Sequence, residues 1–150
     1  MAAKAALRAG AGLVTIATAR SALPVIASLG MEYMTEPLPE TEAGTISLAV
    51  LDYNRLDKLV EGKTVLALGP GIGDGADTAE LVRTVVTKYH LPIVLDADGL
   101  NALAGRIRDF HGGQRIRVLT PHPGEMARLV GKQTGEVQAE RLQVAREFAA

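Results

Sequence analysis

The sequence predicts an α/β fold, a mostly parallel sheet with helices on both faces, and three stretches carry that expectation. Thr64 to Gly75 is an apolar strand emptying into a glycine-rich loop, and Pro92 to Asn101 is an apolar strand ending in two carboxylates and an amide. Val118 to Val130 is an apolar strand that turns through Thr-Pro-His-Pro into a helix. Parallel strands separated by helices place their carboxyl ends, and the loops that follow, along one edge of the sheet, so the three polar loops should converge on one crevice. Gly71, Asp98, His122 and Glu125 are expected around it. The runs Val-Leu-Ala-Leu and Ile-Val-Leu lack polar alternation and read as strands covered on both faces.

The elements follow in order. Ala2 to Ala9 is alanine-rich and helical, ended by Gly10 and Gly12 before a strand at Leu13 to Thr18. A short helix spans Ser21 to Leu29. Met31 to Gly44, with Pro37, Pro39 and several glutamates, reads as an exposed loop. Leu48, Leu51, Leu56, Leu59 and Val60 recur near helical spacing. Strand Thr64 to Leu68, a helix from Ala76 to Tyr89, strand Ile93 to Leu95 and a short helix at Gly99 to Leu103 come next. Gly105 to Arg115, polar and holding Gly112-Gly113, reads as a surface connection to strand Ile116 to Leu119. Helices at Pro123 to Val130 and Glu136 to Ala149 close the chain.

Composition sets the bounds. The 150 residues are 47% hydrophobic and 22% charged, which is ordinary globular usage. A net charge of −1 gives no electrostatic reason for nucleic acid or an acidic membrane surface as a partner. The absence of cysteine excludes disulfides and thiolate metal sites and fits a reducing cytoplasm. No apolar run approaches the roughly 18 residues of a spanning helix. Arg106, Arg108, Arg115 and Arg117 lack interleaved aromatics and read as a solvated edge, and His90 at a helix end and His111 in a polar loop read as solvated too.

The loops hold the chemistry. Gly69, Gly71 and Gly73 make a loop dense in backbone N–H groups, suited to a phosphate or pyrophosphate that only glycine lets approach closely. Gly71-x-Gly73-x-x-Ala76 also matches a dinucleotide fingerprint, with Asp96 imitating the ribose-binding acid. That match leaves the Asp96, Asp98, Asn101 cluster and the His122–Glu125 junction unexplained. Gly62-Lys63-Thr64 ends like a Walker loop but has Asp57 where that motif needs glycine, and it opens a strand instead of closing one. Asp96 and Asp98 suit a magnesium ion or a ribose hydroxyl, while Asp98 equally suits a cap for the helix at Gly99, and Asn101 is as ambiguous. Pro123 fits the first helical position and Glu125 the first turn, near the positive end of the helix dipole.

Taken together, Gly-Pro-Gly-Ile-Gly, Leu-Asp-Ala-Asp-Gly-Leu-Asn and Leu-Thr-Pro-His-Pro-Gly-Glu-Met, in this order and spacing, resemble the NAD(P)H-hydrate dehydratases, a ribokinase-like family that repairs hydrated nicotinamide cofactors. Ala5 to Thr15 resembles the helix-to-strand segment near that family's start. The resemblance implies a ribokinase-like domain of which residues 1–150 are part, truncated at both ends. It implies ADP- or ATP-dependent dehydration of the S form of hydrated NADH or NADPH, through phosphorylation of the ring hydroxyl and elimination of phosphate. Gly71, Asp98, Asn101 and His122 would bind substrate, Gly69, Gly71 and Gly73 phosphate, and Glu125 and Asp96 magnesium. The small-molecule substrate and the adenine nucleotide are the implied partners, in a homo-oligomer.

The family's Lys-Gly segment and its Gly-Thr-Gly-Asp motif, whose Asp is the expected base, are absent from the sequence. Residues 1–150 should therefore hold no catalytic base and be inactive alone. The alternatives are a ribokinase-like small-molecule kinase and a dinucleotide-binding module without turnover.

Overall fold

A computed structural model describes residues 1–107, 110 and 115–150. The expectations for Arg108, His111, Gly112 and Gly113 lie outside the described residues. The chain divides into two compact units, Met1–Glu61 and Gly62–Ala150.

In the first unit, α1 (Ala2–Arg8) leads to β1 (Thr15–Ala19), and a 3₁₀ turn at Arg20–Ala22 runs into α2 (Leu23–Ser28). The expected loop at Met31 to Gly44 is instead largely a strand. β2 (Met34–Leu38) pairs in parallel with β1, from Thr15 opposite Met34 to Ala19 opposite Leu38. Prolines suggested a loop, but this sheet has two strands, so β2 has an unpaired side on which Pro37's missing N–H costs nothing. Beyond it, Ser47 caps a 3₁₀ segment (Leu48–Asn54) by accepting from the Ala49 N–H. The single helix read from leucine spacing is broken there. Tyr53 and Asn54 adopt left-handed backbone (φ 54° and 56°) before α3 (Arg55–Val60) begins. Ala19, Leu38, Ile46, Val50, Leu56 and Val60 form the buried apolar set of this unit.

The second unit carries β3 (Leu66–Leu68), α4 (Ala76–Lys88), β4 (Ile93–Leu95), α5 (Asp98–Asn101), β5 (Arg117–Leu119), α6 (Pro123–Val130), α7 (Thr134–Ala139) and α8 (Arg141–Ala149). The strands lie parallel in the order β3-β4-β5. Leu68, Leu95 and Leu119 are level in the register, so the three following loops leave one edge side by side. α4 buries Thr78, Leu81, Val82, Val85 and Val86, a stripe at helical spacing. The expected last helix is two, divided at Glu140 (φ −126°, ψ 38°). Met126, Ala127, Val137 and Val144 pack α6, α7 and α8 together.

Two expectations about this unit are corrected. Only the central strand is well covered, with Ile93 and Leu95 fully buried, whereas Val65, Ala67, Ile116 and Val118 are exposed, because β3 and β5 are outer strands here. Nor do Arg115 and Arg117 form a solvated edge. Arg117 donates to the carbonyls of Leu91 (2.8 Å), Tyr89 (2.8 Å), Val86 (3.1 Å) and Ile116 (3.0 Å), and Arg115 donates to that of Thr87 (2.6 Å) and lies 3.2 Å from His90 Nε2. The carbonyls of Val86, Thr87 and Tyr89 lie at the carboxyl end of α4, where a helix has no backbone donors left and carries partial negative charge. Burial, with Arg115 beside it, holds the Arg117 guanidinium below its ordinary pKa.

Arg117→Met keeps the stem and removes the donors, and should cost about 2 kcal/mol by chemical denaturation. In the first unit, the Ser21 backbone N–H donates to Glu40 (2.9 Å) and holds that exposed carboxyl below its ordinary value. A depressed carboxylate stabilises above its unfolded pKa and loses the contribution as pH falls through the folded one. Glu40→Gln should therefore be less stable than the parent at neutral pH, and the two should converge on acidification.

Candidate functional site

The loop after β3 and the loop after β4 cross backbone on backbone. Gly69 is buried at φ +131°, and a side chain there would overlap the Asp96 carbonyl oxygen and lie 2.7 Å from the Gly99 nitrogen. A Cβ on Gly99 would meet the Leu68 carbonyl oxygen at 2.7 Å and Gly69 Cα at 3.0 Å. Gly71 is different. It is exposed at φ +74°, and a Cβ there would meet nothing within 4 Å.

Three hydrogen bonds hold the loop between these glycines and α4. Ile72 N–H donates to the Gly69 carbonyl (3.3 Å), the Thr78 hydroxyl donates to the Ile72 carbonyl (3.3 Å), and Gly73 N–H donates to Asp98 Oδ2 (3.0 Å). Thr78 was not singled out from the sequence. Its signal was a hydroxyl on the otherwise apolar buried stripe of α4.

Asp98 does not cap α5. The chain turns at Ala97 (φ 50°, ψ −120°), which takes the N-cap position with no side-chain bond, and Asp98 becomes the first helical residue. Its carboxylate reaches back to Gly73 instead. Asp96 lends its carbonyl to the Gly99 N–H (3.0 Å), and its carboxylate has no partner among the described residues. Asn101 Oδ1 accepts from Arg128 Nε of α6 (3.0 Å).

His122 caps α6. Its Nδ1 accepts from the Gly124 N–H (3.1 Å), while Glu125 Oε2 accepts from the His122 backbone N–H (2.8 Å). His122 Nε2 lies 3.2 Å from Glu125 Oε1. These contacts select the neutral tautomer with its proton on Nε2, since Nδ1 is an acceptor. Neither ring nitrogen then has a free lone pair, so His122 is not poised as a base. Gly124 is required by the same arrangement, because a Cβ would come within 2.9 Å of His122 Cε1. Glu125 is buried with both oxygens engaged by His122. Among the described residues no group of three or more His, Asp or Glu side chains is placed to hold a metal ion, and no helix is long and apolar enough to cross a membrane.

Gly69, Gly71, Gly73, Asp96, Asp98, Asn101, His122 and Glu125 thus all lie on the segments leaving one sheet edge. The family profile described as NAD(P)H-hydrate dehydratase matches residues 1–150. The chain belongs to that family. It is 46% identical over 149 residues to a bifunctional NAD(P)H-hydrate repair enzyme of Moorella thermoacetica, covering 99% of this chain and 28% of the relative. It is 38% identical over 149 residues to the ADP-dependent (S)-NAD(P)H-hydrate dehydratase of Xanthomonas campestris pv. campestris, covering 99% of this chain and 49% of the relative. The chain therefore spans between about a quarter and a half of the length of these relatives.

Solved structures agree on the fold. A hypothetical protein from Streptococcus mutans superposes with a TM-score of 0.74 at 24% identity, covering 98% of this chain and 49% of that one. A ribokinase-like superfamily protein from Enterococcus faecalis V583 gives 0.73 at 19%, covering 97% and 46%. The chain has the α/β fold expected of it, shared with this ribokinase-like protein over 97% of its length.

The two exposed and buried glycines should separate in a substitution series. Gly69→Ala should cost about 3 kcal/mol or more, since backbone must move to admit the methyl group. Gly71→Ala should cost about 1 kcal/mol, the left-handed backbone penalty alone. Denaturant midpoints of the two variants beside the parent check this.

Proposed function

We propose that this chain is part of a single ribokinase-like domain that returns the S form of hydrated NADH or NADPH to the reduced cofactor, with ADP as phosphoryl donor. The observation that carries the reading is the glycine loop. It is tied down at Ile72 and Gly73, yet open at Gly71, and it leaves the same sheet edge as His122. A held backbone with no side chain in the way suits close approach by a phosphate group. The Xanthomonas relative's name supports both the S form and ADP.

In this reading the ring hydroxyl of the hydrated cofactor attacks the β-phosphorus of ADP, releasing AMP and giving up its proton to a base. The ring phosphate then leaves as inorganic phosphate while the neighbouring ring carbon loses a proton, which restores the double bond. Gly71 admits the phosphate-bearing part of the ligand, and His122 contacts the nicotinamide with its ring already oriented by Gly124 and Glu125. The Gly73 N–H, taken by Asp98, serves the loop's shape. Among the described residues His122 has neither ring nitrogen free to act as the base, and we assign that role to the part of the family's domain carrying its Gly-Thr-Gly-Asp motif.

Glu125 makes one contact to His122 through each oxygen, which leaves a lone pair on each for magnesium or its water. Asp96, whose carboxylate has no partner among the described residues, is the second candidate, for an ion bound chiefly by nucleotide phosphates and water, as magnesium commonly is. A reducing, cytoplasmic setting is consistent with the absence of cysteine.

The test is to incubate the full-length protein containing this chain with hydrated NADH and ADP. Reduced-nicotinamide absorbance should recover with one AMP and one phosphate formed per turnover. Gly71→Asn, which tolerates left-handed backbone, should lower kcat/KM by about tenfold with little change in thermal midpoint. Residues 1–150 alone should be slower by at least about 10²-fold, the usual cost of a missing general base. Recovery without ADP, or accumulation of a phosphorylated alcohol with no recovery, would overturn the reading, the latter in favour of a small-molecule kinase.

A further inference from the structure

Asp98 and Asn101 open and close α5, and each has its side-chain oxygen committed to a different neighbour. Asp98 Oδ2 holds the Gly73 N–H at 3.0 Å, across 25 residues, in a part-buried setting. Asn101 Oδ1 holds Arg128 Nε at 3.0 Å, across 27 residues. The Arg128 guanidinium lies over the first turn of α6, its Nη1 being 3.9 Å from where a Gly124 Cβ would stand, next to the His122 ring. The strand order is β3-β4-β5, so the segment after the middle strand grips the segment after each outer strand.

We infer that α5 is a clasp, in which Asp98 holds the glycine loop and Asn101, through Arg128, holds the start of α6, so that these residues serve the reaction by positioning Gly71 and His122 and not by touching the substrate. The physical reasons are on each side of the clasp. At the Gly69–Gly99 crossing the Asp96 N–H donates to the Leu68 carbonyl (3.2 Å) and ties the two loops where they leave the strands, and the charge-assisted Asp98 bond extends that hold to Gly73 at the far side of the glycine loop. α6 begins with a cap made from its own residues, so nothing in the cap ties its first turn to the neighbouring loop. The Asn101–Arg128 bond does. The kinetic part of this inference rests on the dehydratase reading above, whereas the structural part does not.

The experiment uses the full-length protein and the variants Asp98→Ala, Asp98→Asn, Asn101→Ala, Arg128→Met and the double variant of the last two. Amide hydrogen exchange at Gly73 is followed beside kcat/KM with hydrated NADH and ADP. Asp98→Ala should speed Gly73 exchange about tenfold or more and lower kcat/KM by a similar factor, the worth of a hydrogen bond to a charged group. Asp98→Asn, which keeps an acceptor oxygen, should return both to within about threefold of the parent. Asn101→Ala and Arg128→Met should each lower kcat/KM by about threefold to tenfold, and the double variant should be no worse than either alone.

A direct ligand role predicts otherwise. If Asp98→Asn is as impaired as Asp98→Ala while Gly73 exchange stays parental, or if the Asn101 and Arg128 losses multiply, the clasp is overturned. A parent protein with no ADP-dependent recovery would sink the dehydratase reading instead. The clasp would then be decided by exchange alone: faster at Gly73 in Asp98→Ala and restored in Asp98→Asn supports it, and unchanged in Asp98→Ala refutes it.

Discussion

The crossing of Gly69 and Gly99 is the constraint on which the site depends. Two main chains can approach this closely only where neither carries a Cβ, and the approach sets the glycine loop directly against the turn after β4. Once the loops are in contact, Asp98 is within reach of the Gly73 N–H and Ala97 is driven to positive φ as the chain doubles back. A side chain at either glycine would separate the loops, and the distance from Asp98 to Gly73 with them. The glycine motif therefore contains two kinds of glycine: one needed by the protein's own backbone and one, Gly71, whose neighbourhood is left open for something else.

The junction at His122 follows a different logic, that of local self-sufficiency. A histidine is an unusual N-cap, and it works here because an unprotonated Nδ1 accepts as a serine or aspartate oxygen would. Glu125 reciprocates from the third helical position, Pro123 gives up no needed N–H, and Gly124 makes room for the ring. Four consecutive residues thus orient an exposed imidazole by using every polar atom it has. The cost is that neither ring nitrogen of His122 keeps a free lone pair in this state, and each Glu125 oxygen has one of its lone pairs taken, which bears directly on which chemistry the pair can perform.

Arg117 shows how the same physics can mislead a reading made along the chain. Four arginines between positions 106 and 117 look like a charged surface, yet two of them close the carboxyl end of α4 by donating to carbonyls that precede them by up to 31 residues. Helix ends accept donors from anywhere in space, and only the fold says from where.

The sequence by itself determined the parallel α/β class, most element positions in the second unit and the three loops that gather at one edge. Helical and apolar periodicity, glycine, and proline at a first helical turn are local signals, and they act through local physics. β2 was not legible, because its prolines signal a loop unless one knows that the strand has a free side. The break at Tyr53 and Asn54 was hidden by leucines that keep helical spacing across it. What only the tertiary structure decided is which partner each polar atom takes. Asp98 could cap its own helix or reach another loop, and Asn101 could face a ligand or an arginine 27 residues away, with nearly the same local signature. Hydrogen bonds between segments far apart in sequence depend on distances that the strand register and the glycine crossing create, and those distances are not written in either segment alone.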